Sequence, residues 1–289
     1  VGESGSGKST TGRSIIRLYE PTDGEVNFKG VKISGKLSLN QLQHLRTKMQ
    51  MIFQDPMACL NPRMKVIDII AQGLDIHKLY KNEKEREEKV YHILELVGLS
   101  HEHAMRYPHQ FSGGMKQRVV IAIALACNPK LLIADEPTTA LDVTIQAQVL
   151  DLMNDLKEKF KTAMILITHD LGVVAQVCDK VAIMYAGEII EAGTLLDVFE
   201  NPKHPYTHGL FGSIPSLDEE TTRLKPIQGL MPDPTDLPKG CKFHPRCPHA
   251  TELCSKQDPN VVEVTEGHKV RCLICEGLVE FKEEQEDKK

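Results

Sequence analysis

The feature that most constrains the fold is the glycine-rich stretch at residues 2–9, Gly-Glu-Ser-Gly-Ser-Gly-Lys-Ser, which matches the pattern G-x4-G-K-[S/T]. Glycines let the backbone approach phosphate groups closely, and the helix expected after the loop points its amides at the same negative charge. Lys8 is expected to reach β- and γ-phosphates, and the Ser9 hydroxyl to bind Mg²⁺. A chance Gly/Ser turn is the alternative, but a motif this long rarely arises by chance. The candidate nucleotide-binding residues of this segment are Gly2, Gly5, Ser6, Gly7, Lys8, Ser9 and Thr10.

An apolar run that ends in two acidic residues gives this loop a partner. Residues 131–137 read Leu-Leu-Ile-Ala-Asp-Glu-Pro, which is typical of a buried parallel strand. At the end of such a strand, Asp135 is expected beside the Mg²⁺ site, and Glu136 is the candidate general base for an attacking water. Two acids that are merely solvated at a strand end are the alternative, which the neighbouring phosphate loop disfavours.

A Ser-Gly-Gly triplet within residues 111–118 predicts the start of a helix. Ser112 resembles an N-cap, and Gly113 and Gly114 leave backbone amides open, so that a hydroxyl and the main chain form a second anion site. Taken alone, the triplet indicates only a helix entry.

The motifs together resemble the nucleotide-binding subunits of ABC transporters. The motifs occur along this chain in the same order as in that family: the phosphate loop, Gln54, the Ser-Gly-Gly signature, Asp135-Glu136, Leu141-Asp142 and His169. The resemblance implies that Gln54 contacts Mg²⁺ or water and senses the membrane partner. It implies that Ser112 and Gly114 bind the γ-phosphate held by the other subunit, that Asp142 crosses the dimer, and that His169 contacts the γ-phosphate.

Some positions weaken individual assignments. An isolated histidine is more often an ordinary core or surface residue, but His169 follows an apolar strand expected at residues 163–168. The family's usual signature begins with Leu and has Gln after the glycines, whereas Phe111 and Met115 stand there. Neither position has to supply the phosphate-binding hydroxyl or amides, so the assignment is kept.

The resemblance predicts an α/β fold of the P-loop NTPase (RecA-like) type: an ABC nucleotide-binding domain with a helical subdomain, followed by a small loop-rich C-terminal extension that contains cysteines. We expect the ATPase domain at residues 1–200, its helical subdomain at about 56–128, and the extension at 201–289. Helices are expected at 8–18, 39–49, 111–126 and 145–160, and a hairpin about Gly187. Strands that alternate with helices indicate a parallel sheet.

The beginning of the chain is unusual, because a phosphate loop needs a strand before it. The loop starts one residue after Val1. We therefore expect that the N-terminal strand or strands are missing. The aromatic residue that stacks on adenine in this family would lie in the same segment.

Three stretches resemble a narrower group, the ATP-binding subunits of oligopeptide, dipeptide and nickel importers. They are residues 137–148, 204–215 and 240–248. The resemblance implies ATP hydrolysis coupled to peptide import, with nickel or another solute as the alternative. It further implies a paired ATPase subunit, two transmembrane permease subunits and an extracytoplasmic solute-binding protein, with this chain at the cytoplasmic face of a bacterial or archaeal membrane.

Composition limits the competing functions. The chain carries 35 Lys+Arg against 40 Asp+Glu, a net charge of −5, which argues against a broad nucleic-acid-binding surface. No apolar run approaches the ~18 residues of a membrane-spanning helix, so the membrane partners are expected to be separate chains. An ABC ATPase of DNA repair or translation would usually show two linked cassettes or a long coiled-coil insertion. A regulatory or iron–sulfur module without turnover would not need Glu136 and His169.

Four late cysteines have the spacing C-x5-C-x6-C-x17-C. Four thiolates can bind Zn²⁺ or an iron–sulfur cluster, and the spacing does not choose between them. Similar importer ATPases carry a [4Fe–4S] cluster in this region, so the resemblance favours iron–sulfur, with Zn²⁺ and unliganded thiols as alternatives. For zinc, His244 and His249 are possible substitute ligands. Cys275 is a spare thiol or an alternative ligand. The candidate ligands are Cys241, Cys247, Cys254 and Cys272.

Overall fold

The computed structural model describes residues 1–139, 141–213 and 227–280. The chain forms two compact units, one made of Ser9–Thr168 and the other of Val1–Lys8 together with His169–Lys289. In the part of the chain that the structure describes, no helix is long and apolar enough to cross a membrane.

The Ser9–Thr168 unit is built on a parallel sheet of three strands, in the order Met49–Ile52, Leu131–Asp135 and Ala163–Ile167. Ile52 lies opposite Ala134, and Asp135 lies opposite Ile167. A short antiparallel pair, β1 and β2, stands apart from this sheet. In chain order the elements are α1 (Lys8–Ile15), β1 (Asn27–Phe28), β2 (Val31–Lys32), α2 (Leu39–Lys48), β3 (Met49–Ile52), α3 (Pro56–Cys59), α4 (Val66–His77), α5 (Glu83–Leu96), α6 (Gly113–Leu125), β4 (Leu131–Asp135), α7 (Val143–Phe160) and β5 (Ala163–Ile167).

One apolar core joins helices α4, α5 and α6 to the sheet of this unit. Ile70 of α4, Leu94 of α5 and Ile121 of α6 are buried in the same cluster as Ile52 and Leu132 of the strands. Burial of each such side chain contributes roughly 1.5–3 kcal/mol. The core therefore fixes the strand ends against the helices that follow them.

Local capping explains where the helices begin. Ser38 and Gln41 form a reciprocal capping box at the start of α2, and the Asn82 side chain accepts from the Glu85 amide at the start of α5. Such caps satisfy backbone amides that a helix leaves without a partner. Helix α1 approaches the sheet closely, since a Cβ at Gly12 would lie 2.9 Å from Ile167 Cδ1.

The unit that contains His169–Lys289 is built on an antiparallel sheet, in the order Lys180–Tyr185, Glu188–Thr194, His268–Arg271 and Val261–Thr265. Tyr185, Tyr206 and Phe243 pack edge to face beneath it, with ring centroids 4.7 to 5.4 Å apart. Its elements are α8 (Leu171–Val177), β6 (Lys180–Tyr185), β7 (Glu188–Thr194), α9 (Leu195–Glu200), α10 (Pro205–Phe211), β8 (Val261–Thr265) and β9 (His268–Arg271).

The structure confirms the predicted elements and adds others. The helix expected at 39–49 ends at Lys48, the helix expected at 145–160 begins at Val143, and the hairpin about Gly187 is present. The helix expected at 8–18 ends earlier, at Ile15, because Arg17 adopts a left-handed backbone conformation with φ 63°.

Residues beyond 200 contain more regular structure than the loop-rich extension that the sequence predicted. Helix α10 forms because Pro205 stands at its first position and the His204 side chain accepts from the Tyr206 amide. Strand β9 pairs with β7, which places Glu191 opposite Val270. The domain boundaries stay predictions. Residues 214–215 of the stretch at 204–215 lie outside the described residues, as do residues 281–289 of the predicted extension.

Candidate active site

The phosphate loop closes around its own lysine. The Lys8 ammonium donates to the carbonyls of Gly2 and Glu3, both at 2.7 Å, and to Ser6 Oγ at 3.2 Å. Gly2 cannot be replaced without displacing backbone, because its φ is 153° and a Cβ there would lie 2.2 Å from Met184 O. The loop thus places a buried positive charge at the first residue of helix α1.

The first turn of α1 offers an anion site. The helix begins at Lys8 and has no acidic residue in its first turn. Thr10 is exposed and Ser6 is buried. Amides at a helix start face outward and favour negative charge, so the predicted phosphate contacts are stereochemically available.

Asp135 has the environment of a cation ligand. It ends β4, is fully buried, and accepts a hydrogen bond from Ser9 Oγ at 2.8 Å through Oδ1. Its Oδ2 is buried and has no hydrogen-bond partner among the described residues. A buried carboxylate oxygen without a donor carries a large desolvation penalty, which a hard cation with oxygen ligands relieves. Ser9 and Asp135 therefore fit a bound Mg²⁺.

Glu136 is held by two side chains in a strained backbone. Its φ is 47°, a left-handed value that costs a non-glycine residue about 1–3 kcal/mol. Its amide donates to Ile167 O at 2.8 Å. Its Oε2 accepts from Gln54 Nε2 at 2.9 Å and from Thr139 Oγ1 at 3.0 Å. The structure thus brings two of the predicted catalytic residues, Glu136 and Gln54, into direct contact.

Thr139 was not among the predicted residues. A hydroxyl three residues after the acid was the signal that could have identified it. Because Thr139 and Gln54 both donate to Oε2 of Glu136, the two hydrogen bonds fix the orientation of that carboxylate.

The Ser-Gly-Gly triplet caps helix α6 as the sequence predicted. Ser112 Oγ accepts from the Met115 amide at 3.3 Å, and both Ser112 and Gly113 are exposed. Gly114 is required by packing, since a Cβ there would lie 2.5 Å from Ile145 Cγ2. The exposed helix start is available to an anion from another molecule.

The remaining predicted residues stand at helix starts. Asp142 caps α7 by accepting from the Ile145 amide at 3.0 Å. His169 is exposed and lies two residues before α8, whose cap is Asp170. The roles predicted for Asp142 and His169 remain predictions.

A groove of about 600 Å³ opens beside Gln54. Helix α3 follows Gln54 closely in the chain and exposes Met57, which is 57% accessible. The surface combines apolar and polar side chains, as docking surfaces for protein segments commonly do. Its lining includes Phe53, Gln54, Asp55, Cys59, Gln72 and Ile123.

The four late cysteines surround one small cavity. Burial raises the pKa of Cys241 to about 11 and that of Cys247 to about 12, whereas a hydrogen bond from Cys275 lowers the pKa of Cys272 to about 7. Cys254 also lines the cavity. Within residues 1–139, 141–213 and 227–280, no group of three or more His, Cys, Asp or Glu side chains is arranged to hold a metal ion. The structure therefore does not support the predicted cluster as it stands.

The comparisons with known proteins agree with this geometry. Residues 1–139 match the family model of the ABC transporter, and residues 190–254 match that of the oligopeptide/dipeptide transporter C-terminal region. The chain is 49% identical over 283 residues to the oligopeptide transport ATP-binding protein AppD of Bacillus subtilis, covering 96% of this chain and 86% of that protein. It is 53% identical over 276 residues to OppF of the same organism, covering 96% and 85%.

The chain belongs to the ABC transporter family of ATP-binding proteins. Solved ABC cassettes share its fold. The dimeric post-hydrolysis structure of MJ0796 with ADP and Pi has a TM-score of 0.60 and 32% identity, and it covers 67% of this chain and 83% of its own. The cbiO1 structure from Clostridium perfringens has a TM-score of 0.62 and 29% identity, covering 70% and 78%. These likenesses confirm the predicted α/β P-loop ATPase cassette.

Proposed function

We propose that this chain is the ATP-hydrolysing subunit of an ABC transporter that imports peptides. The observation that carries the substrate class is the 49% and 53% identity to two oligopeptide transport ATP-binding proteins, over 86% and 85% of their lengths. The match of residues 190–254 to the C-terminal region of oligopeptide/dipeptide transporters supports the same class.

The proposed site for ATP and Mg²⁺ is formed by four residues, Lys8, Ser9, Asp135 and Gln54. Lys8 binds the β- and γ-phosphates, with backbone amides from Gly5 and Gly7. Ser9, Asp135 and Gln54 hold Mg²⁺, which when bound neutralises charge on the phosphates. The support is the Ser9–Asp135 hydrogen bond and the unsatisfied Asp135 Oδ2.

Glu136 is the proposed general base. It takes a proton from water as the water oxygen bonds to the γ-phosphorus and the bond to the ADP oxygen breaks, which yields ADP and phosphate. Gln54 and Thr139 hold the carboxylate in place, since both donate to Oε2.

Closure of two subunits completes the site in this proposal. Ser112, Gly113 and Gly114 contact the γ-phosphate bound by the paired subunit, and the exposed start of α6 supports this role. Asp142 lies at the contact between the subunits, and His169 contacts the γ-phosphate bound by its own subunit.

The groove beside Gln54 is the proposed docking surface for a permease subunit. Gln54 is both a lining residue of the groove and a hydrogen-bond partner of Glu136. Movement of the docked segment can therefore reach the base through one side chain. In this arrangement the chain works at the cytoplasmic face of the membrane, with two permeases and an extracytoplasmic solute-binding protein.

The cavity lined by the four cysteines is the proposed site of a metal centre. Cys241, Cys247, Cys254 and Cys272 would hold a [4Fe–4S] cluster, or Zn²⁺ as the alternative, in a structural role. The support for this site is that the four thiols line one cavity. Protein purified without oxygen should contain iron and sulfide, and Cys247→Ser should lose them while Cys127→Ser keeps them. Stoichiometric zinc, or no metal, would overturn the cluster.

The base assignment is tested by Glu136→Gln, which keeps the side-chain shape and a carbonyl acceptor for Gln54 and Thr139. Loss of a general base lowers turnover by about 10²–10⁴-fold. We expect phosphate release to fall by that factor while ATP still binds. Glu158→Gln is the control, because Glu158 is 81% exposed on α7. Unchanged turnover in Glu136→Gln would remove Glu136 as the base.

A further inference from the structure

Glu3 occupies a position at which the phosphate-loop pattern accepts any residue, yet its carboxylate, amide and carbonyl each form a contact. Its carboxylate forms a two-point ion pair with Arg246, with Oε2 2.8 Å from Nη1 and Oε1 3.1 Å from Nη2. Its amide donates to Tyr206 Oη at 3.0 Å. Its carbonyl accepts from Lys8 Nζ at 2.7 Å. Glu3 thus joins the phosphate-binding lysine to two residues of the extension.

Arg246 is itself anchored. Its Nε donates to Gln228 O at 2.9 Å, and its Nη2 lies 3.4 Å from Ile227 O. The guanidinium also lies 5.8 Å from the centre of the Tyr185 ring, and the side chain is only 4% exposed. A planar guanidinium with this many partners has one available position, so it fixes the carboxylate that it binds.

Tyr206 provides a second fixed point. The residue lies in α10, is fully buried, and packs against Tyr185 and Phe243. Burial raises the pKa of Tyr206, so its hydroxyl stays protonated. The oxygen of this hydroxyl accepts from the Glu3 amide at 3.0 Å.

We infer that Arg246 and Tyr206 form a clamp that positions the phosphate loop for ATP, so that the cysteine-bearing extension sets nucleotide affinity. Arg246 is the residue before Cys247 and lies in the loop between Cys241 and Cys247. The clamp acts through Glu3 on Lys8 and does not touch the nucleotide. This inference rests on the proposed ATP site.

The clamp predicts a change in affinity rather than in chemistry. Loss of the charge-assisted Glu3–Arg246 pair, which reaches ATP only through Lys8, should raise the Kd for ATP about tenfold. We expect this effect for Arg246→Gln and Glu3→Gln. The catalytic rate at saturating ATP should stay within about twofold of the parent, because Glu136 is held by other residues.

The full-length protein and its variants would be titrated with a fluorescent ATP analogue, and turnover would be measured in the assembled transporter. If the two side chains act as one pair, Glu3→Gln with Arg246→Gln should raise Kd about tenfold in combination, not a hundredfold. Lys242→Gln is the matched control, because Lys242 is a basic residue of the same loop that pairs with Asp258 at 3.0 Å. It should leave Kd unchanged.

Tyr206→Phe keeps the ring and removes only the hydroxyl. It therefore tests whether the clamp sets ATP affinity even if Arg246→Gln does not fold. A higher Kd in Tyr206→Phe and Glu3→Gln supports the clamp. Parental Kd values in both, or a hundredfold loss in the double variant, would overturn it. Absence of phosphate release by the parent protein would instead count against the proposed function, so the two failures are distinguishable.

Discussion

Glu191 offers the sharpest test of how the extension is built. Its carboxylate is fully buried on β7. Oε1 accepts from the Lys203 amide and from His268 Nε2, both at 2.8 Å, and Oε2 accepts from the His204 amide at 3.0 Å. Because His204 caps α10, this carboxylate fixes the helix that carries Tyr206.

Glu191→Gln replaces one carboxylate oxygen by an NH2 group at almost constant volume. With that group toward His204, one buried amide loses its acceptor, which costs about 1–3 kcal/mol. The two bonds at the other oxygen become neutral and lose roughly half their strength, about 1 kcal/mol more. The expected loss is therefore about 2–4 kcal/mol of local stability.

Amide hydrogen exchange of the segment that contains Lys203 and His204 measures this loss directly. At 1.36 kcal/mol per factor of ten, exchange should become about 30- to 900-fold faster. Glu188→Gln is the control, because Glu188 begins the same strand and is only partly buried. Unchanged exchange in Glu191→Gln would refute the view that this carboxylate holds the start of α10.

Three further outcomes follow from single contacts. Gly114→Ala should lower stability by about 1–3 kcal/mol in thermal unfolding, because its Cβ would lie 2.5 Å from Ile145 Cγ2. Gly113→Ala is the control, since its Cβ would meet nothing closer than 3.8 Å. Equal losses of stability in the two variants would contradict this packing. Burial lowers the pKa of His204 to about 3, so the unfolded state binds the extra proton below pH 6.5. The stability contributed by the neutral ring is complete above pH 6.5 and should fall by about 2 kcal/mol between pH 6.5 and 5, as measured by denaturant titrations. His204→Asn should reduce this loss. A stability that does not change over this pH range would contradict the prediction. Asp135→Asn should weaken binding of ATP with Mg²⁺ about tenfold and leave metal-free binding unchanged; an equal loss in both titrations would remove Asp135 as a metal ligand.

Much of the ATP-binding unit could be predicted from the sequence because its signals are local. A glycine-rich loop before a helix and an apolar strand that ends in Asp135 and Glu136 each reveal their structure within a few residues. Parallel strands then bring their carboxyl ends to one edge, which explains how Gln54 meets Glu136 across 82 residues. The left-handed backbone of Glu136 has no sequence signature, because the surrounding structure imposes it on a residue that does not favour it.

The extension was harder to predict because its structure depends on distant partners. Strand β9 has four residues, and it pairs with β7 far earlier in the chain. The Glu3–Arg246 pair joins residues separated by 243 positions, and the phosphate-loop pattern does not constrain Glu3. Neither contact is specified by periodicity or spacing, because both arise only when the sheet assembles.

In the proposed coupling, ATP hydrolysis at Glu136 drives peptide import. This coupling is tested most directly by labelled-peptide uptake into vesicles that contain the assembled transporter with its solute-binding protein. We expect ATP-dependent uptake with the parent chain and a loss of about 10²–10⁴-fold with Glu136→Gln, in step with phosphate release. Equal uptake by the two proteins, or ATP-dependent uptake of nickel and not of peptide, would contradict this coupling.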